Sequence, residues 1–240
     1  MTGVQTCALP IFIILAGIII PTLLFAQVGN IYIILMLVTT IWLGLIGFAD
    51  DYIKVFRKNK QGLAGRFKIL GQISLGLMVV ATLLLSSEVV IREPVKSRTG
   101  EEMKELVVDP ESGEQHVQIA THEVKSTKTT IPFIKKNEFD YAWLVSWAGG
   151  DANWLRWFVY AVAVILIIVA VSNAANLTDG IDGLATGTSA ISGAALGILA
   201  YVSGNVIYSN YLNIMYIPNL GELTVFIGAF IGSTVGFLWY

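Results

Sequence analysis

Six apolar runs, 11–26, 31–48, 69–85, 154–171, 184–202 and 223–240, alternate with polar breaks, and one long hydrophilic stretch divides them into two sets of three. About 20 residues of helix cross a hydrocarbon core of about 30 Å, so each run predicts one transmembrane helix. The first run is short and carries Pro21, where a kink is expected. The hydrophilic stretch, 88–153, contains two alternating apolar segments, 106–108 and 117–119, around Pro110-Glu111-Ser112-Gly113. That pattern predicts a small β-hairpin. The expected fold is all-α: a polytopic helical membrane protein of about six spans with a hairpin-like insertion outside the membrane.

Composition agrees with the pattern. Of 240 residues, 55% are hydrophobic and 13% charged, about half the charge of an ordinary soluble domain. Charge placement then predicts orientation. Between Asp50 and Lys68 six bases face two acids, whereas 88–153 carries eight bases and twelve acids. Bases stay on the cytoplasmic side, which puts the loop 49–68 in the cytoplasm and the insertion outside. Two spans separate Asp51 from Asn173, so the polar motifs at 49–68 and 173–185 are expected on one membrane face. Cys7 is the single cysteine, which excludes an internal disulfide. Trp143, Trp147, Trp154 and Trp157 gather near the start of the fourth span, as an interfacial belt does. Gly228, Gly232 and Gly236 recur at four-residue spacing, a pattern that suits close helix packing.

The chemistry concentrates in the two polar motifs. In NAANLTDGIDGLA, residues 173–185, Asn173, Asn176, Asp179 and Asp182 recur every third residue, which keeps them on neighbouring rows of a helical turn. Such residues also cap helices and form turns, but acids at a membrane boundary are costly enough to need partners or tasks. Asp50 and Asp51 precede Lys54 by four and three residues, a spacing that also fits an ordinary surface ion pair. Four carboxylates at one mouth would suit a divalent cation, and hard oxygen ligands with retained water favour Mg²⁺. The bases Lys54, Arg57, Lys58, Lys60, Arg66 and Lys68 offer counter-charge for phosphate. Together they point to phosphoryl-type transfer between a soluble and a lipid phosphate. His116, His122 and Glu123 are read as solvated side chains of the insertion, and no patch suits nucleic acid.

GFADDYIKVFRKNKQGLAGRFK followed by NAANLTDGIDGLA resembles the phospho-N-acetylmuramoyl-pentapeptide transferases, a family of the polyprenyl-phosphate N-acetylhexosamine-1-phosphate transferase superfamily. The resemblance implies a multi-pass enzyme of the bacterial cytoplasmic (inner) membrane with its active site facing the cytoplasm. It implies transfer of phospho-MurNAc-pentapeptide from UDP-MurNAc-pentapeptide to undecaprenyl phosphate, giving lipid I and UMP, with Mg²⁺ as cofactor. Carried over by position, Asp50, Asp51 and Lys54 become the catalytic set, with one of the aspartates activating the lipid phosphate or, in a covalent two-step route, taking part through an enzyme-bound intermediate. Lys68, Asn173, Asn176, Asp179 and Asp182 become substrate-binding residues, and Asp51 and Asp179 candidate metal ligands. A homodimer is compatible with such a membrane enzyme.

The resemblance also carries departures. Residues 1–12 do not match the start of the family and are expected to be a non-native leader. Family members continue past Tyr240 into a loop bearing a third aspartate, the principal Mg²⁺ ligand, so this stretch by itself is expected to be inactive. The expected organisation is 13–87 with three spans and the loop 49–68, the insertion 88–153, and 154–240 with three spans and the motif 173–185. Competing readings are a GlcNAc-1-phosphate transferase of the same superfamily, an ion-coupled transporter and a non-catalytic scaffold. Transporters place ionisable groups near the bilayer midplane, whereas these acids lie at the ends of spans.

Overall fold

A computed structural model describes residues 5–57, 62–95, 103–108, 115–131, 138–148, 153–178 and 183–239. Seven α-helices carry the chain through it: α1 Gln5–Phe25, α2 Ile31–Phe56, α3 Gly65–Leu85, α4 Asn153–Thr178, α5 Leu184–Ser203, α6 Val206–Leu212 and α7 Leu223–Trp239. Among the described residues five helical segments are long and apolar enough to span a membrane, at Ile31–Phe56, Gly65–Leu85, Trp154–Thr178, Leu184–Ser203 and Leu220–Trp239. The stretch Ile11–Phe25 is a shorter apolar helix, and it continues through Pro21. The chain is thus a multi-pass helical membrane protein.

The helices pack in the order α4, α3, α2, α1, α7, α5. Ile18, Ile33, Leu37 and Phe226 form a core where α1, α2 and α7 meet. Most other large apolar side chains stay outside it. Leu24, Leu166, Ile191 and Ile198 are each more than half exposed, an apolar surface of the kind that lipid or protein covers. Buried hydroxyls are satisfied along their own helices: Thr22, fully buried, donates to the Ile18 carbonyl at 2.7 Å. Small residues set the closest approaches. A Cβ on Gly193 or Gly197 would press on Phe230 or Ile227 of α7, and one on Gly76 would meet Ile165 of α4. The spacing of Gly228, Gly232 and Gly236 suggested that same role, yet a Cβ on any of them would meet no described atom within 4 Å. Helix α7 meets α1 and α5 through its other faces.

Two helices run past their apolar runs. Helix α2 continues for eight residues beyond 48, so Asp50, Asp51 and Lys54 stand on helix rather than in a loop. Helix α4 likewise carries Asn173 and Asn176 on its last turns.

The insertion holds more than the expected hairpin. Strands β2 (Lys104–Val108) and β3 (Gln115–Ile119) pair antiparallel, with Leu106 opposite Val117. Outside them β1 (Ile91–Pro94) pairs with β4 (Thr121–Val124), and β5 (Lys128–Thr130) pairs with β6 (Glu138–Asp140). Between the first two pairs Val95 donates to the Ala120 carbonyl, Met103 to Val95 and Ala120 to Met103. The result is one nested two-stranded ribbon. The Arg92 N–H bonds the Tyr216 carbonyl at 3.2 Å and its guanidinium lies 5.2 Å from the Tyr216 ring centre. This fastens the ribbon to the connection between α6 and α7. The turn 110–113 lies outside the described residues.

Candidate active site

The first motif assembles around Asp50, whose side chain is 8% exposed. One face of α2 places Lys54 a single turn after it, and the Lys54 Nζ lies 2.6 Å from Asp50 Oδ2. Lys68, in the first turns of α3, reaches the same oxygen at 3.0 Å. The other oxygen, Oδ1, accepts the Leu63 N–H at 2.7 Å. Asp50 therefore gathers three donors from two helices and the segment between them. Charge-assisted bonds of this kind are the strong ones, and a carboxylate so occupied has little capacity left for a ligand.

Asp51 is placed differently. Its side chain is 26% exposed, and the nearest cation is Lys54, whose Nζ lies 3.7 Å from Oδ1. That separation is an ion pair but too long for a direct hydrogen bond. Lys54 itself is 43% exposed, so its ammonium touches both aspartates while remaining open to solvent.

Backbone geometry near Gly62 makes this closure possible. Gly62 has φ +67°, and a Cβ there would fall on Asp50 Oδ1 and within 2.7 Å of Lys54 Cε. Glycine accepts this left-handed conformation without steric cost. It lets the chain pass close enough for the next N–H, that of Leu63, to reach the carboxylate.

The second motif is bonded to α3 by a residue that neither motif contains. Gln72 lies one turn after Lys68 on α3, inside an apolar run, and is 5% exposed. Its Nε2 donates to Ser172 Oγ at 3.0 Å, and its Oε1 accepts from Asn173 Nδ2 at 2.8 Å. Asn173 Nδ2 also donates to the Val169 carbonyl at 2.8 Å. The start of α3 and the end of α4 are thus fastened together, and Gln72 stands one helical turn from Lys68, which holds Asp50. Asn176, one turn further along α4, is exposed. Asp179 and Asp182 lie outside the described residues. Gly183, which opens α5 with φ +73°, has Leu238 of α7 against it.

Among the described residues no group of three or more His, Cys, Asp or Glu side chains could hold a metal ion. Asp50 is occupied by its lysines. Asp51, partly exposed and at ion-pair distance from one ammonium, fits a single oxygen position of a hard cation that keeps its waters.

The sequence singled out Asp50, Asp51, Lys54, Lys68 and Asn173; the structure adds Gly62, Gln72 and Ser172 to their surroundings. A signal for Gln72 was available. A polar amide four residues after a motif lysine, within an apolar span, needs a partner in the bundle.

The chain matches a family model described as glycosyl transferase family 4 over residues 118–240. It is 57% identical to a phospho-N-acetylmuramoyl-pentapeptide-transferase of Parabacteroides distasonis, over 95% of this chain and 52% of that protein. It is 54% identical to the protein of that name in Flavobacterium psychrophilum, over 95% of this chain and 54% of the relative. Identity is again 54% with the one in Bacteroides thetaiotaomicron, over 95% and 51%. The chain spans about half the length of the curated relatives it matches.

Proposed function

The chain belongs to glycosyl transferase family 4, and from that premise we propose that the intact protein transfers phospho-MurNAc-pentapeptide from UDP-MurNAc-pentapeptide to undecaprenyl phosphate, yielding lipid I and UMP. The single observation that carries this reading is that the start of α3 holds both motifs, Asp50 through Lys68 and Asn173 through Gln72 one turn further along. The names of the relatives support the muramoyl-pentapeptide donor over other amino-sugar phosphates. The site is proposed to face the cytoplasm at the inner membrane, where the nucleotide substrate resides.

In this reading an oxygen of the lipid phosphate attacks the β-phosphorus of the donor. The bond from that phosphorus to the oxygen bridging the α-phosphate breaks, and UMP leaves with the electron pair. Asp51 is the carboxylate free to take a proton from the lipid phosphate, because Asp50 already holds Lys54, Lys68 and the Leu63 N–H. Asp50 instead fixes the two ammonium groups, and the exposed Lys54 counters phosphate charge as the acceptor approaches. Mg²⁺ is the proposed cofactor; one oxygen of Asp51, together with Asp179, would hold it, leaving the other Asp51 oxygen for the proton, and the ion would neutralise diphosphate charge when bound. The test is Mg²⁺-dependent release of UMP by the intact protein supplied with both substrates. Absence of that release would overturn the assignment, and unchanged turnover after Asp51→Asn would remove Asp51 from the chemistry.

A further inference from the structure

We propose that Gln72 is a positioning residue that commits the Asn173 side chain to act as a hydrogen-bond acceptor toward the substrate. This deepens the transferase reading and rests on it. The amide of Asn173 has two N–H donors and one carbonyl oxygen. Its Nδ2 donates to Gln72 Oε1 and to the Val169 carbonyl, both at 2.8 Å, so both donors are spent inside the protein. What remains for a ligand is Oδ1. A carbonyl oxygen offered in this way pairs with a hydroxyl or N–H of a sugar or nucleoside, and it repels the oxygens of a phosphate. Gln72 is itself held in register, since its Nε2 donates to Ser172 Oγ and so leaves Oε1 facing Asn173. Its near-complete burial keeps water from substituting for either bond. The Val169 carbonyl can only accept, so a reversed Asn173 would set two carbonyl oxygens together, and with Asn173 so fixed a reversed Gln72 would set two N–H groups against each other.

Asn173 therefore reads the donor-bearing part of the soluble substrate, while phosphate charge is met at Lys54 and Lys68. The experiment uses the intact protein and compares Gln72→Met, which removes both polar atoms at similar length, with Gln72→Glu, which keeps an acceptor for Asn173. Wild type that releases no UMP would sink the transferase reading before any variant is compared. With active wild type, Gln72→Met is expected to raise KM for the UDP-linked donor about tenfold, leaving KM for the lipid phosphate and inhibition by pyrophosphate unchanged. Gln72→Glu is expected to stay within about threefold of wild type. If Gln72→Met fails to fold, Gln72→Asn, which draws the amide back by one methylene, takes its place with the same expected rise. Equal KM changes for both substrates, weakened pyrophosphate inhibition, or the same effect from Gln72→Met and Gln72→Glu would each overturn the proposal.

Discussion

Helix α3 has a charged triad near each of its ends, and the two are inverses. At its start one carboxylate, Asp50, lies between two ammonium groups, Lys54 and Lys68, at 2.6 and 3.0 Å. Beyond its end one ammonium, Lys128, lies between two carboxylates, Glu93 and Glu138, at 2.6 and 3.2 Å. Distances barely separate them; burial and surplus charge do. The Asp50 carboxylate is 8% exposed, whereas all three members of the Lys128 triad are 26–32% exposed. The first triad leaves a surplus positive charge beside Asp51 that suits phosphate. The second leaves a surplus negative charge and ties β1 to the β5–β6 pair. The same bond therefore prepares a site in one place and fastens a ribbon in the other.

Four substitutions test that contrast. Asp51→Asn is expected to lower UMP release by at least about 100-fold, the usual scale for a lost general base, with the thermal midpoint in detergent unchanged. Asp50→Ala should cost about 2 kcal/mol by stranding two ammonium groups and the Leu63 N–H, seen as a lower midpoint together with lost activity. Gly62→Ala should cost on the order of 1 kcal/mol through its positive φ, and it should weaken the bond from Leu63 to Asp50. This is readable as faster hydrogen exchange at the Leu63 amide.

Lys128→Met should cost under about 1 kcal/mol and leave turnover as in wild type. Burial works against the charge on Lys128, but its bond to Glu93 and the nearby Glu138 outweigh this and raise its pKa above the ordinary value. A raised pKa in the fold means that the triad contributes in full below about pH 10. The contribution should fade as pH climbs through the folded-state value, which proteolysis of the ribbon across an alkaline series would detect. Equal loss of turnover from Asp50→Ala and Lys128→Met would break the contrast.

Of the six expected spans five were legible because lipid demands long apolar runs, while the first run, 11–26, forms a shorter apolar helix. The hairpin at 106–108 and 117–119 was legible from alternation flanking a turn. The extensions at 49–56 and 172–178 were partly legible: spacing put Asn173 and Asn176 on a helical turn, but hydropathy ends where polar residues begin although the backbone bonds of α2 and α4 continue. Short helix α6 was hidden for a related reason: seven residues carry too little periodicity, although Asn205 caps it by accepting from Ile207 and Tyr208. At the site, Asp50, Lys54 and Lys68 were visible as a charge pattern. The unequal availability of Asp50 and Asp51 was not, because it depends on Leu63 folding back past Gly62. Gln72 lay hidden inside an apolar run, and its partners are 100 and 101 residues away.

The ribbon offers a practical handle on orientation. Val95 and Met103 are bonded to each other across seven intervening residues, and Ala120 closes the ladder on both. The described ladder runs through Val95, Met103 and Ala120, so a reporter peptide spliced between the first two would be carried by the ribbon. Impermeant antibody or protease added to sealed vesicles would then tell which compartment owns this end of α3, and hence where its opposite end must open.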